Sequence, residues 1–201
     1  MDGLTDHELM AMVRGGSFSA FDALYERYRH RVYRFLFSLT WNYDEAADGM
    51  QETFVRLYQA RARYEPTTQF STYLFQIAAN YYRWQRRKRG VRREAPLGEN
   101  VTGLLAGAAT EPETHLLAAY ERWRVRQAIA SLGEGRRLVF VMAQLEGMRY
   151  AEISEVLGVP VGTVKSRMSA AVRELREILA QEASGRAAVS LSCNATSEKR
   201  R

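Results

Sequence analysis

One stretch restricts the fold more than any other: Tyr150 to Leu179, which opens Tyr-Ala-Glu-Ile-Ser-Glu-Val-Leu-Gly-Val-Pro-Val-Gly-Thr-Val-Lys-Ser-Arg-Met and continues with a helical apolar period. Ile153, Val156 and Leu157 share one face of a first helix, and the small Ser154 lies four residues before Gly158, where two helices must approach closely. Gly158 is free to take the left-handed conformation that ends a helix, and Pro160 cannot continue it. Val159 is expected to pack inward, the Thr163 hydroxyl to cap a second helix, and Val164, Met168, Val172, Leu175 and Leu179 to form its buried stripe. Ser166, Ala170 and Arg173 then point directly away from that stripe, with Thr163, Lys165 and Arg167 on its flanks. Such a set suits phosphates and base edges in a major groove. Short helix pairs joined by a glycine turn also occur in helical cores, but here the turn chemistry, core spacing and basic outward residues agree on a DNA-reading helix-turn-helix.

The 201 residues leave room for one large domain or two small ones. The net charge of +6 favours a polyanionic partner, although its sign alone fits a membrane surface equally. Arginine supplies nearly all of the positive charge, with lysine only at Lys88, Lys165 and Lys199, a bias that GC-rich coding produces as readily as function does. The single Cys193 excludes an intramolecular disulfide and a cysteine zinc site, and with no activating neighbour it is expected to be inert rather than a redox sensor. His7, His30 and His115 lack metal-ligand spacing, so no metal or cofactor is expected. With no charged-then-apolar leader and no apolar run of about eighteen residues, the chain reads as cytoplasmic and without membrane insertion. A nucleic-acid enzyme would need a paired-carboxylate metal site, a phosphate-cradling glycine loop or a nucleophile with its base, and none is present.

The pattern predicts an all-α chain of two small helical domains, 1–89 and 112–183, joined by a flexible linker over 90–111 and followed by a disordered tail over 184–201. In the first block Thr5 and Glu8 make a capping box, and Gly15-Gly16 ends a short helix. A second helix, Ser19 to Thr40, buries Phe21, Leu24, Tyr28, Val32, Phe35, Leu36 and Leu39. A third, Asp44 to Ala60, buries Ala47, Met50, Phe54 and Leu57, and a loop with Pro66 leads to a fourth, Ser71 to Arg89. The Gly/Ala/Pro-rich linker offers Leu104 and Leu105 as candidates to dock. In the second block a long helix carries Leu116, Tyr120, Trp123, Ala128, Ile129 and Leu132, and another runs from about Arg136 to Glu146.

Two further surfaces lie in the first block. On the third helix Asp48, Gln51 and Glu52 fall at i, i+3 and i+4 with Asp44 and Glu45 one turn earlier, an acidic patch on a rigid element. Acids near a helix N-terminus are also an ordinary solvated face, but beside a DNA reader they suit a basic protein partner. On the fourth helix Gln76, Asn80, Arg83 and Arg87 form one polar stripe opposite Leu74, Ile77, Ala78 and Tyr81, flanked by Tyr73, Tyr82 and Trp84 and running into Arg86, Lys88, Arg89, Arg92 and Arg93. Cations attract the phosphate backbone and exposed rings stack unpaired bases. Tyr81 and one further aromatic are expected in the core, and the arginine run also fits a solubilising helix end.

Asp48-Gly-Met-Gln-Glu-Thr-Phe54, after an Asp-Glu-Ala-Ala lead-in, resembles the region-two signature of sigma-70 family sigma factors of the extracytoplasmic-function (ECF) group. Phe70-Ser-Thr-Tyr-Leu-Phe-Gln-Ile-Ala-Ala-Asn80 is similar to the promoter-melting helix that follows it, and Leu145 to Met168 to the region-four signature. The resemblance implies that Asp48, Gln51 and Glu52 bind the clamp helices of the RNA polymerase beta-prime subunit. It implies minus-ten contacts on the fourth helix, for which Tyr73, Gln76, Asn80, Arg83, Trp84 and Arg87 are the candidates, and minus-thirty-five contacts at Thr163, Lys165, Ser166, Arg167 and Arg173. It implies an anti-sigma partner, a chain monomeric when free or bound to it, and a promoter-specificity factor for core RNA polymerase that is not an enzyme. The alternative is a stand-alone helix-turn-helix regulator, against which the acidic helix and the separate basic stripe argue. Departures from the family pattern are Ala47 for an acid, Gly49 for an aliphatic residue, Tyr73 for a tryptophan, Arg83 and Trp84 for an aliphatic and acidic pair, and Gly133 for a proline. Gly49 costs the polymerase-facing helix roughly 1 kcal/mol of propensity.

Overall fold

The computed structural model describes residues 3–92 and 112–197 as helices and the turns between them, with no strand among the described residues. The elements are α1 (Asp6–Arg14), α2 (Phe18–Thr40), α3 (Tyr43–Ala60), a 3-10 turn (Arg61–Arg63), α4 (Phe70–Arg92), α5 (Pro112–Ser131), α6 (Glu134–Gln144), α7 (Tyr150–Leu157) and α8 (Val161–Ser197). The expected linker with Leu104 and Leu105 lies for the most part outside the described residues, and α4 extends to Arg92, past its expected end.

Side-chain caps set the first boundaries. The Thr5–Glu8 box forms as expected, with the Thr5 N–H donating to Glu8 Oε2 at 2.7 Å. Ser17 accepts the Ala20 N–H, which starts α2 at Phe18. Trp41, at φ 52°, ends α2 in the left-handed region, and Asn42 Oδ1 accepts the Glu45 N–H at 3.0 Å to start α3 at Tyr43.

α2 buries the expected Leu24, Tyr28, Val32, Phe35, Leu36 and Leu39, with Phe21 half-buried. α3 is rotated from the expected face: Ala46, Gly49, Thr53, Phe54 and Leu57 are buried, whereas Ala47 and Met50 are half-buried. The reason is Gly49. A Cβ there would lie 2.8 Å from Tyr81 Cε1 and 3.0 Å from Leu36 Cδ1, so α3 meets α4 and α2 through a residue with no side chain. Thr53 tolerates the same interface because its hydroxyl donates to the Gly49 carbonyl at 2.7 Å.

α4 is buried on two sides. Leu74, Ala78 and Tyr81 form the expected inner face with Ile77 half-buried, and Phe75, Ala79 and Tyr82 are buried as well. The second side follows from α7, which packs along α4. Beside that contact Arg31 Nε donates to Glu146 at 3.4 Å, and its guanidinium lies 5.2 Å from the centre of the Phe75 ring. Among the described residues, 3–92 and 138–166 therefore make one compact unit, and 112–137 with 167–197 the other, a division that differs from a boundary only at the linker.

In the second unit Ala128 and Ile129 of α5 are buried with Leu132 just past its end, whereas Tyr120 and Trp123 are 39% and 43% exposed. On a straight helix they fall away from the later apolar residues, and Arg124 takes an inward place instead, donating to the Leu179 carbonyl at 3.0 Å. Arg137 is also buried and donates to the Leu132 carbonyl at 3.0 Å, closing the end of α5. α6 begins and ends two residues before its expected bounds.

The turn between α7 and α8 uses Gly158 at φ 64°, as its sequence requires. Ser154 does more than permit close approach: its hydroxyl donates to the Val159 carbonyl at 2.6 Å. Thr163 does not cap α8. The Pro160 carbonyl accepts from the Thr163 and Val164 N–H groups, so the helix starts at Val161 and Thr163 sits inside its first turn. Val164, Met168, Ala171 and Leu175 are buried, with Val172 and Leu179 half-buried. α8 continues to Ser197 through the segment expected to be disordered, because a proline-free, alanine-rich stretch extends an existing helix without a new nucleation step.

Candidate functional site

Three helices carry the candidate residues. On α3 Asp48 and Gln51 are exposed and Glu52 is half-exposed, so the predicted acidic face reaches solvent together. Glu45 pairs with Arg89 of α4 at 2.7 Å, and Glu52 Oε1 accepts from Arg56 Nε at 2.7 Å. Asp48 makes no ion pair among the described residues, which leaves its carboxylate available to a partner. Both pairs are largely exposed, of a kind worth at most about 1 kcal/mol, and a basic partner displaces them cheaply.

On α4 Gln76, Asn80 and Arg87 are exposed and Arg83 is half-buried, one continuous polar stripe that Arg86, Lys88 and Arg89 extend. The three flanking aromatics separate. Tyr82 is in the core, the expected second buried ring, whereas Trp84 is 42% exposed. Tyr73 is half-buried with its ring 5.2 Å from that of Tyr64, and burial pushes its phenol pKa up. Burial, with Asp6 and Tyr73 adding to it, pushes Tyr64 up to about 12, so this hydroxyl stays protonated while it bonds His7 Nδ1 at 2.7 Å. The loop before α4 is thereby tied to α1.

Sequence reasoning missed Arg56. Its Cζ lies 5.4 Å from the centre of the Tyr81 ring and 5.6 Å from that of Trp84, and Lys88 Nζ lies 5.1 Å from the same Trp84 ring. The i, i+4 spacing from Glu52 was a legible signal for the ion pair, but the reach across to α4 was not.

On α8 Lys165, Ser166 and Arg173 are exposed, and Thr163 and Arg167 are half-buried. The Ser166 hydroxyl donates to the Thr163 carbonyl at 3.0 Å, leaving its lone pairs outward. Arg167 lies over the start of α6, its Cζ 3.3 Å from where a Cβ on Gly135 would be. Among the described residues no cluster of acids, histidines or cysteines could hold a metal, and no helix is long and apolar enough to cross a membrane.

Residues 24–92 match Sigma-70 region 2, and residues 122–175 match Sigma-70, region 4. The chain is similar to the ECF RNA polymerase sigma-E factor of Salmonella typhimurium, at 33% identity over 82% of this chain and 89% of that protein. It is 32% identical to the ECF RNA polymerase sigma factor SigE of Mycolicibacterium smegmatis over 82% of this chain, which spans 63% of that protein. Among solved structures it resembles CnrH in complex with the cytosolic domain of CnrY, with 25% identity, a TM-score of 0.67, and 88% of this chain and 97% of that chain covered. Two family segments in the right order, the first carrying the acidic and basic surfaces of α3 and α4 and the second the helix-turn-helix, leave one assignment: the chain belongs to the ECF sigma factors of the sigma-70 family.

Proposed function

We propose that this chain binds core RNA polymerase through α3 and directs it to promoters through α4 and α8, acting in the cytoplasm as a transcription initiation factor and not as an enzyme. Asp48, Gln51 and Glu52 take the beta-prime clamp helices. Tyr73, Gln76, Asn80, Arg83, Trp84 and Arg87 contact and open the minus-ten element, and Thr163, Lys165, Ser166, Arg167 and Arg173 read the minus-thirty-five element. The free chain is a monomer, and an anti-sigma factor holds it until the inducing signal arrives. The observation that supports this most is the separation of charge by helix: carboxylates on the exposed face of α3, cations and an exposed indole on α4. A duplex-binding regulator has no use for an acidic face, whereas a factor that must hold a protein and a polyanion together needs both.

The test is recruitment. Asp48→Lys, and Asp48→Lys with Glu52→Lys, should abolish co-purification with core polymerase while far-UV circular dichroism stays that of the parent, since both side chains reach solvent. Retained polymerase binding in the double variant refutes the assignment of α3.

A further inference from the structure

Arg56 belongs to α3, yet its guanidinium lies against the aromatic residues of α4. Cζ sits within 5.6 Å of the ring centres of both Tyr81 and Trp84, and a second cation, Lys88 Nζ, stands 5.1 Å from the Trp84 centre. Tyr81 is buried and held by its neighbours, its hydroxyl accepting from Gln85 Nε2 at 2.7 Å. Trp84 is not: 42% of it faces solvent, and the Arg56 and Glu52 side chains beside it are 35% and 40% exposed. Of the five N–H groups on Arg56, only Nε–H has a hydrogen-bond partner among the described residues, the Glu52 carboxylate. The four on its terminal nitrogens are therefore available to an acceptor arriving from solvent.

We propose that Arg56, Lys88 and the Trp84 indole beside them form a binding notch for one nucleotide of an unpaired DNA strand, the two cations taking its phosphate while its base stacks on the ring. The inference rests on the reading of α4 as the promoter-melting helix and adds to it a contact from the neighbouring helix. A duplex cannot use the notch, because its bases are already stacked on one another. A separated strand can, because every base offers a face to an indole and stacking tolerates any sequence. Arg56 suits the place better than lysine would: its guanidinium lies within 5.6 Å of both ring centres, and a guanidinium edge presents parallel donors to phosphate oxygens. The Glu52 pair gives the notch a link to α3, since a partner that draws the Glu52 carboxylate away releases the one bonded N–H of Arg56 as well.

The experiment uses full-length chain saturated with core polymerase and a fork-shaped probe, duplex upstream and single-stranded across the minus-ten segment, cut from a template that the holoenzyme transcribes. Affinity is measured across a salt series for Arg56→Gln, Arg56→Lys, Lys88→Gln, Trp84→Ala and Asn80→Ala. Losing one phosphate contact to a single strand lowers the slope of log affinity against log salt by about 0.7. Arg56→Gln and Lys88→Gln should each show part of that drop, and the two together the whole of it, with a several-fold weaker fork; Arg56→Lys should recover the slope, and Trp84→Ala should weaken the fork about fivefold or more. The loss in Arg56→Gln/Trp84→Ala should be smaller than the product of the single losses, because both act on one nucleotide. If Trp84→Ala and Asn80→Ala weaken the fork while Arg56→Gln and Lys88→Gln leave affinity and slope at the parent values, the notch is wrong and the melting helix stands. If all four bind the fork as the parent does, both readings fall. Lys88→Gln, at an exposed site, keeps the test decisive should Arg56→Gln fold poorly.

Discussion

Gly49→Ala sets two physical effects against each other at one atom. Mid-helix alanine is favoured over glycine by about 1 kcal/mol, so propensity alone makes this variant more stable. The packing opposes it. The new Cβ would stand 2.8 Å from Tyr81 Cε1 and 3.0 Å from Leu36 Cδ1, where ordinary contact begins at 3.4 Å, so the Tyr81 ring must retreat by about 0.6 Å, 3.4 less 2.8. That ring is buried and rigid, and overpacking of this kind costs about 1–3 kcal/mol. The balance is a net loss of about 1 kcal/mol. Urea denaturation followed by far-UV circular dichroism reads it, with Gly162→Ala as the control, since nothing lies within 4 Å of a Cβ there and the same change should stabilise by a few tenths to about 1 kcal/mol. Moving Tyr81 also disturbs Trp84, whose ring centre is 6.1 Å away, so promoter opening should weaken along with stability. If Gly49→Ala stabilises by as much as Gly162→Ala, the close approach of α3 to α4 described here is wrong.

Ser154→Ala should cost about 1 kcal/mol by leaving the Val159 carbonyl without its 2.6 Å donor, and Gly158→Ala about 1–2 kcal/mol by forcing a side chain to φ 64°, both read as thermal midpoints. Unchanged midpoints would refute the described turn. Burial raises the Glu146 carboxyl above its ordinary 4.5, the Arg31 guanidinium only partly offsetting it. An acid with a raised folded pKa binds its proton more tightly when folded, so its contribution is fully present below pH 4.5 and declines as pH rises through the raised value. Glu146→Gln should flatten that decline, and a profile identical to the parent's would show that the carboxyl is not buried. Lys165→Gln should weaken holoenzyme binding on all promoters and lower the salt slope by about 0.9, whereas Ser166→Ala should relax preference only in the upstream element, by about 1–3 kcal/mol at one base pair. Sequence selection on randomised upstream elements distinguishes the two, and uniform loss with Ser166→Ala would remove it from the base-reading set.

Helical period placed α2 and its core almost residue for residue, because one strongly amphipathic helix between a serine cap and a turn leaves little freedom. α3 was legible as a helix but not in rotation: Ala47 and Met50 read as core, and the facts that turn the helix belong to Tyr81 and Leu36, distant in sequence. The same glycine reads as a weakness from propensity and as a requirement from packing. The exposure of Tyr120 and Trp123 was not legible for a related reason, since aromatic content says nothing about a buried Arg124 taking the inward position. Among the candidate site residues, exposure followed the helical wheel at Asp48, Gln51, Gln76, Asn80, Arg87, Lys165, Ser166 and Arg173. Which aromatic would join Tyr81 in the core was not legible: it is Tyr82, and the packing of α7 along α4 is a tertiary contact with no local signature. Arg56 stayed invisible for the same reason: its partners across the helix interface lie 25 and 28 positions away along the chain.

In the proposed function one chain supplies both the grip on polymerase and the two contacts with promoter DNA. The direct measurement is run-off transcription by core polymerase, with and without the full-length chain, on a template pool randomised over the upstream region, followed by sequencing of the transcribed templates. Transcripts should arise only when the chain is present, from templates that share two separated elements, and should be lost with Asp48→Lys/Glu52→Lys. With Asn80→Ala they should be lost on duplex templates and return when the minus-ten segment is already unpaired. Transcripts no more abundant than core polymerase gives alone, or tight capture of specific duplex templates by the chain without polymerase, would contradict it.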